Sequence, residues 1–199
     1  IVLARVSHLD KQVIRMCLDA GISGMILSTV ETLEQAKEFQ DYCTYPYRKR
    51  KKVFEKDNKG VIRKSLSSET GGKRGQGLVR ENLWGLKTLN LRRPLIIPQI
   101  ETLTGVQNIE SISKLNFDYY LVGPYDLSAS MGSVGDFESE NFKNAIETLK
   151  KTVGSKIGFH IPSNLENQYD KHKEYKFLAL GMDTTFLTET LANTFNIVK

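Results

Sequence analysis

Short apolar runs of strand length alternate with segments of helical period along almost the whole chain, and this alternation restricts the possible folds more than any other feature. It calls for a parallel sheet with crossover helices. The first run is Ile1 to Val6; Asp10 then supplies an amino-terminal cap for a helix with Val13, Ile14, Cys17 and Leu18 on one face, and Gly21 fits its carboxyl cap. A second strand, Gly24 to Leu27, precedes a helix in which Thr32 and Gln35 have capping-box spacing and Leu33, Ala36 and Phe39 share a face. Helical character is expected again from Leu78 to Lys87, followed by the strand Leu95 to Ile100. A helix near Val106 to Leu115, the strand Tyr119 to Val122 and a helix from Glu140 to Val153 come next; Phe142, Ala145, Ile146 and Leu149 in the last have i, i+3, i+4, i+7 spacing. The strand Lys156 to His160, a polar helix around Leu165 to Glu174, the strand Phe177 to Leu180 and a helix near Phe186 to Ile197 complete the series.

Six consecutive βα units fit either an open doubly wound sheet or most of an eight-fold barrel. The glycine-rich stretch Gly71 to Gly77 follows no strand and lacks the order of a phosphate loop, so a nucleotide site has no support there. No apolar run approaches the roughly 18 residues of a membrane span, and no basic-then-apolar leader opens the sequence. A soluble, cytoplasmic protein is expected. Cys17 and Cys43 are too few for a disulfide framework and lie in helical patterns, where buried thiols are the simplest reading.

The net charge of +5 suggests nucleic acid until it is mapped along the chain. Tyr47 to Arg80 holds twelve Lys/Arg and three Asp/Glu, whereas the remainder carries sixteen basic and twenty acidic residues. The basicity belongs to one segment, about 47–76, in which the alternation stops. With no aromatic stacking platform beside it, this segment reads as a solvated loop inserted into a single domain, 1–199, rather than a nucleic-acid surface. It could steer an anionic substrate.

In parallel α/β folds reactive groups sit just past the carboxyl ends of strands. Those positions hold Arg5 with Ser7 and His8, Ser28-Thr29, Gln99 with Glu101, Asp126, His160 and Asp183. Glu101 and Asp126 lie one βα unit apart, and two neighbouring carboxylates repel unless a proton or cation lies between them. Oxygen-only ligands suit a hard ion such as Mg²⁺ or Mn²⁺. On spacing alone, a solvated Glu101 and an Asp126 that merely caps a turn remain open.

Gln99-Ile100-Glu101-Thr102 and Gly123-Pro124-Tyr125-Asp126-Leu127-Ser128, together with Leu18-Asp19-Ala20-Gly21, Gly24-Met25, Ala4-Arg5-Val6, Arg74-Gly75-Gln76-Gly77 and Leu180-Gly181-Met182-Asp183, resemble the HpcH/HpaI aldolases. The likeness covers nearly all of the chain except Tyr47 to Gly71. It implies a TIM (β/α)8 barrel of which strands 3 to 8 and their helices are present, and a divalent-metal-dependent class II aldolase. Such an enzyme makes or cleaves a 2-oxo acid, with pyruvate as the enolate half and an aldehyde as its partner. The resemblance further implies Glu101 and Asp126 as metal ligands, Gln99 as a substrate contact, the Tyr125 backbone N–H as a carboxylate donor, and Arg5 as the positive charge beside the developing enolate. A homo-oligomer, trimer or hexamer, is implied as well.

Two departures stand beside this likeness. The family's general base is a His on the strand before the one carrying Arg5, and that strand is absent; His8 and His160 read as structural or surface groups, and His172 as solvated in a charged helix. Ser28 also stands where the family usually has Pro, and the basic insertion replaces a short loop. Rival readings are a thioester lyase of the citrate lyase beta type and a degenerate barrel serving as a binding protein. Because Ile1 already lies in a strand, about two βα units are expected upstream.

Overall fold

The computed structural model describes residues 1–45, 47–48, 51–56, 62–67, 70–74, 80, 83–86 and 93–198. In chain order the elements are β1 (Leu3–Val6), α1 (Lys11–Asp19), β2 (Gly24–Leu27), α2 (Leu33–Cys43), β3 (Tyr47–Arg48), β4 (Lys51–Lys56), β5 (Ile62–Ser67) and β6 (Thr70–Gly71). They continue with β7 (Leu95–Ile100), α3 (Leu103–Gln107), α4 (Ile109–Ser113), β8 (Tyr120–Val122), α5 (Pro124–Ser130), α6 (Glu140–Val153), β9 (Ile157–Ile161), α7 (Leu165–His172), β10 (Phe177–Leu180) and α8 (Asp183–Val198).

Six strands form one sheet in the order β1-β2-β7-β8-β9-β10, and the pairs β7–β8, β8–β9 and β9–β10 are parallel. Spatial order follows chain order without the reversal that a doubly wound sheet shows at its switch point. Among the described residues, no helix is long and apolar enough to cross a membrane.

The chain divides into two compact units. The first comprises Ile1–Met25 and Lys37–Ile96. Asp10 caps α1, its side chain accepting from the amides of Gln12 at 2.7 Å and Val13 at 3.0 Å, while Ile14 and Leu18 are buried. Gly21 follows the helix at φ +102°, a backbone state that glycine adopts without strain. Arg74 is buried; its guanidinium donates to Asp19 at 3.2 Å and lies 4.4 Å from the centre of the Tyr45 ring. One ion pair thus joins two of the sequence motifs, Leu18-Asp19-Ala20-Gly21 and the start of Arg74-Gly75-Gln76-Gly77; residues 75–77 lie outside the described set. Cys43 is fully buried, and that burial pushes its thiol up to about 12. Cys17 is only half-buried.

Two expectations fail in this unit. The basic segment contains antiparallel pairing, β4 with β5 in a register running from Lys51↔Ser67 to Lys56↔Ile62, and β3 with β6. Its lysines conceal the strands because no regular apolar alternation marks them. Where a helix was expected, residues 83–86 instead form a turn, with Leu83 at φ +49° and Trp84 at φ +57°. Right-handed helix requires negative φ. The flanking residues 78, 79, 81, 82 and 87 lie outside the described set.

The second unit comprises Ile26–Ala36 and Ile97–Lys199. Within it α6 matches its sequence pattern: the Ser139 hydroxyl accepts from the Phe142 amide, and Phe142, Ala145, Ile146, Leu149 and Val153 are buried. The helix expected near Val106 to Leu115 is two short ones, separated at Asn108 (φ −93°, ψ 1°). His172 is half-buried rather than solvated. Its ring stacks on Phe159 at 4.4 Å and 14°, and burial lowers its pKa. The charged neighbours in sequence conceal this, because only the inward turn of α7 meets β9.

Candidate active site

The candidate site lies in the second unit, where β7 and β8 end side by side. Their parallel register sets Gln99 opposite Leu121 and Ile100 opposite Val122, and the Gly123 amide donates to the Ile100 carbonyl at 3.2 Å. The motifs around Glu101 and Gly123 therefore leave adjacent strands at the same level. Residues Ile96 to Ile100 are all buried, so the continuous apolar run of β7 anchors the polar pair that follows it.

Glu101 is buried at 5% exposure, and Gln99 beside it at 4%. The Gln99 Nε2 donates to Glu101 Oε2 at 2.5 Å, and the Thr29 hydroxyl donates to Glu101 Oε1 at 2.7 Å. The Gln99 Oε1 is buried and has no hydrogen-bond partner. A buried carbonyl oxygen left this way costs about 1–3 kcal/mol, which a donor or cation in the site would recover.

Thr29 is a contributor that sequence reasoning listed only as a strand-end residue, without a role. It sits at φ +54°, an outlier conformation for a β-branched residue. Neighbouring contacts hold it there: the Gln35 Nε2 donates to the Thr29 carbonyl at 3.1 Å, the Gln35 Oε1 accepts from the Glu31 amide at 2.9 Å, and the Val30 amide donates to the Gln99 carbonyl at 3.0 Å. Gln35 also takes the expected capping bond, its amide donating to Thr32 Oγ1 at 3.1 Å. One capping-box residue thus starts α2 and fixes the hydroxyl that orients Glu101.

Gly123 closes the other side. A Cβ there would lie 2.6 Å from Glu101 Oε2 and 2.8 Å from Gln99 Nε2. Only glycine fits against that pair. Three residues on, Asp126 lies exposed in the first turn of α5. The Tyr125 amide belongs to the first-turn donors that no intrahelical carbonyl can accept. Its ring is 45% exposed and stands edge-on to Phe137 at 5.0 Å.

Arg5 lies exposed in β1, in the first unit. The histidines are accounted for locally: His160 Nε2 contacts the Gly181 carbonyl at 3.4 Å, and His8 Nδ1 lies 3.1 Å from the Ser7 hydroxyl. Asp183 opens α8 and accepts from the Thr184 amide.

Among the described residues, no group of three or more His, Cys, Asp or Glu side chains could together hold a metal. The Glu101 and Asp126 carboxylates would form a pair of another kind, all oxygen and leaving coordination positions open. Mg²⁺ is commonly bound through one or two carboxylates with water and substrate oxygens completing its shell. Glu101 and Asp126 are hard oxygen donors of the kind such an ion takes, and the orphaned Gln99 oxygen could accept from a water or substrate hydroxyl beside it.

Comparison with known proteins extends these observations. The profile of the family described as HpcH/HpaI aldolase/citrate lyase matches residues 2–190. The chain is 27% identical to the hydroxypyruvate/pyruvate aldolase of Chromohalobacter salexigens, over all of this chain and 72% of that protein. It is 28% identical to the 4-hydroxy-2-oxovalerate aldolase of Rhodococcus jostii, over 93% of this chain and 66% of that one. Among solved structures, the HpcH/HpaI aldolase from Desulfitobacterium hafniense superposes with a TM-score of 0.76 at 21% identity, covering 100% of this chain and 72% of the other. The chain spans about two thirds of the length of the curated relatives it matches. With the profile extending over almost every residue and the Gln99–Glu101 and Gly123–Asp126 motifs meeting at adjoining strand ends, the chain belongs to the HpcH/HpaI aldolase/citrate lyase family.

Proposed function

We propose that the protein is a divalent-metal-dependent class II aldolase that forms or cleaves a 2-oxo acid with pyruvate as the enolate half. The observation that carries this reading is the buried Gln99–Glu101 pair at the end of β7, in which Gln99 Oε1 has no hydrogen-bond partner among the described residues. Support comes also from the relatives, two of which are named as aldolases of hydroxypyruvate/pyruvate and of 4-hydroxy-2-oxovalerate. In this reading the six strands of the main sheet are strands 3 to 8 of a TIM barrel.

Glu101 and Asp126 would hold Mg²⁺ or Mn²⁺. When bound, the ion supplies Lewis acidity that eases loss of the pyruvate methyl proton. Thr29 and Gln99 fix the Glu101 carboxylate, so its oxygens need no reorganisation when a ligand arrives. Gln99 Oε1 accepts from a substrate hydroxyl or a bound water, and the Tyr125 amide donates to the pyruvate carboxylate. Arg5, on β1 of the first unit, is the residue that the family likeness implies as the fixed positive charge for the enolate.

Calorimetric Mn²⁺ titration and turnover of a 4-hydroxy-2-oxo acid, measured on the wild type and on Glu101→Gln/Asp126→Asn, test the assignment. Loss of Mn²⁺ binding together with loss of turnover is the expected result. A double variant that binds and turns over like the parent would contradict it. The family description includes citrate lyase, so a thioester electrophile is the second reading. Cleavage of a citramalyl thioester without cleavage of the 4-hydroxy-2-oxo acid would favour it.

A further inference from the structure

The second unit contains a cavity of about 440 Å³ between α6, α7 and the end of β9. That volume lies within the range of small-molecule pockets, about 300–1,000 Å³. Two aromatic groups contribute to its lining. Phe159 carries the stacked rings of His172 (4.4 Å) and Tyr175 (5.5 Å, 24°). A second aromatic group in the lining has Phe137 joined to Tyr125 at 5.0 Å and to Phe142 at 5.3 Å. Ile146 and Ile161 complete the apolar lining. The lowered pKa of His172 keeps its ring neutral at physiological pH, so it serves as part of the apolar wall.

Six charged side chains line the cavity besides His172, and four are already committed to each other. Lys143 pairs with Glu138 at 2.8 Å and Lys150 with Glu174 at 2.9 Å. Glu147 on α6 and Lys171 on α7 form no ion pair or hydrogen bond among the described residues, and both are exposed. The uncommitted charges are thus one negative and one positive, on different helices, in a cavity with an aromatic lining. An α-amino acid with an aromatic side chain matches that combination: its carboxylate would meet Lys171, its ammonium Glu147, and its ring the aromatic lining. Complementary charge fixes orientation, while the aromatic side chain supplies buried area. We propose that this cavity is a second small-molecule site, specific for a zwitterionic aromatic amino acid, whose lining includes the Tyr125 ring but neither Gln99, Glu101 nor Asp126.

The proposal stands independently of the aldolase reading. L-Phenylalanine binding, followed by calorimetry and by saturation-transfer NMR, provides the test, with 3-phenylpropanoate and 2-phenylethylamine as probes that each lack one charge. The wild type is expected to bind L-phenylalanine at least about tenfold more tightly than either truncated probe. Lys171→Gln and Glu147→Gln should each weaken L-phenylalanine by about tenfold, the size of one such charged contact. Both positions are exposed, so these variants should fold. Ile146→Trp, which fills the cavity, should abolish binding, and Glu101→Gln should leave it unchanged. No L-phenylalanine binding, equal binding of the truncated probes, or indifference to both charge variants would overturn the proposal.

Discussion

At the scale of single residues, the candidate centre depends on how tightly Glu101 is held. Thr29→Val removes the hydroxyl that donates to Glu101 Oε1 while keeping the side-chain shape. Loss of an orienting partner of this kind typically costs about 10–100-fold in metal affinity, and Mn²⁺ calorimetry should show a fall of that order with little change in melting temperature. Gly123→Ala puts a methyl group 2.6 Å from Glu101 Oε2. Overpacking of this sort costs about 1–3 kcal/mol, so this variant should lose both stability and turnover, measured by thermal melting and by 2-oxo acid cleavage. The sequence names Glu101, Gln99 and Asp126 through their positions at strand ends, yet it leaves Thr29 without a role. Its contact with Glu101 spans 72 positions in the chain and depends on a left-handed backbone that no local pattern announces.

Two titrating groups give pH dependences of opposite sign. Burial raises the Cys43 thiol to about 12, so the folded state favours the protonated form. The stability this contributes is complete below the unfolded thiol pKa of about 8.5 and declines as pH rises toward 12. Cys43→Ala should flatten the alkaline decline of melting temperature, and Cys17 should react first with a thiol reagent. For His172, burial lowers the pKa, so the neutral ring is favoured in the folded state. Its contribution is present above the ordinary value of 6.5 and is lost as pH falls through the lower folded value. His172→Phe should remove that acid-side loss, as followed by melting temperature from pH 7 to pH 5.

At the scale of elements, the helices that carry both a cap and a periodic face are readable from sequence. α1 begins after Asp10 and α6 after Ser139, each capped by that side chain; α6 buries the residues its spacing indicates, whereas α1 buries Ile14 and Leu18 but leaves Val13 exposed and Cys17 half-buried. Elements defined by partners elsewhere in the chain are not. β4 and β5 are rich in basic residues, and their strand state is defined by pairing with each other. The turn at 83–86 interrupts a plausible helical period because Leu83, Trp84 and Gly85 all take positive φ. The Arg74–Asp19 pair belongs to this scale too, since it ties the end of α1 to the segment after β6. Breaking a buried ion pair by removing one partner costs about 3–5 kcal/mol. Asp19 retains some exposure, so Asp19→Asn should fall near the lower end, about 3 kcal/mol by urea denaturation, and Arg74→Met/Asp19→Leu should recover part of the loss.

At the scale of the whole molecule, the order of strands and the placement of charge carry the reading. The main sheet runs β1-β2-β7-β8-β9-β10 in chain order, as the βα alternation indicates, and puts the Glu101 and Gly123 motifs on neighbouring strands. The net charge of +5 arises from residues 47–80, and the rest of the chain is acidic. A basic protein by its total is therefore an acidic scaffold with one basic insertion.

The central claim, that Glu101 and Asp126 build a metal-dependent enolate site, is tested most directly by exchange of the pyruvate methyl protons in D₂O, followed by NMR with Mg²⁺ or Mn²⁺ present and absent. The account predicts exchange that requires the divalent ion and falls by more than about 100-fold in Glu101→Gln/Asp126→Asn. Metal-independent exchange, or exchange that persists unchanged in the double variant, would contradict it.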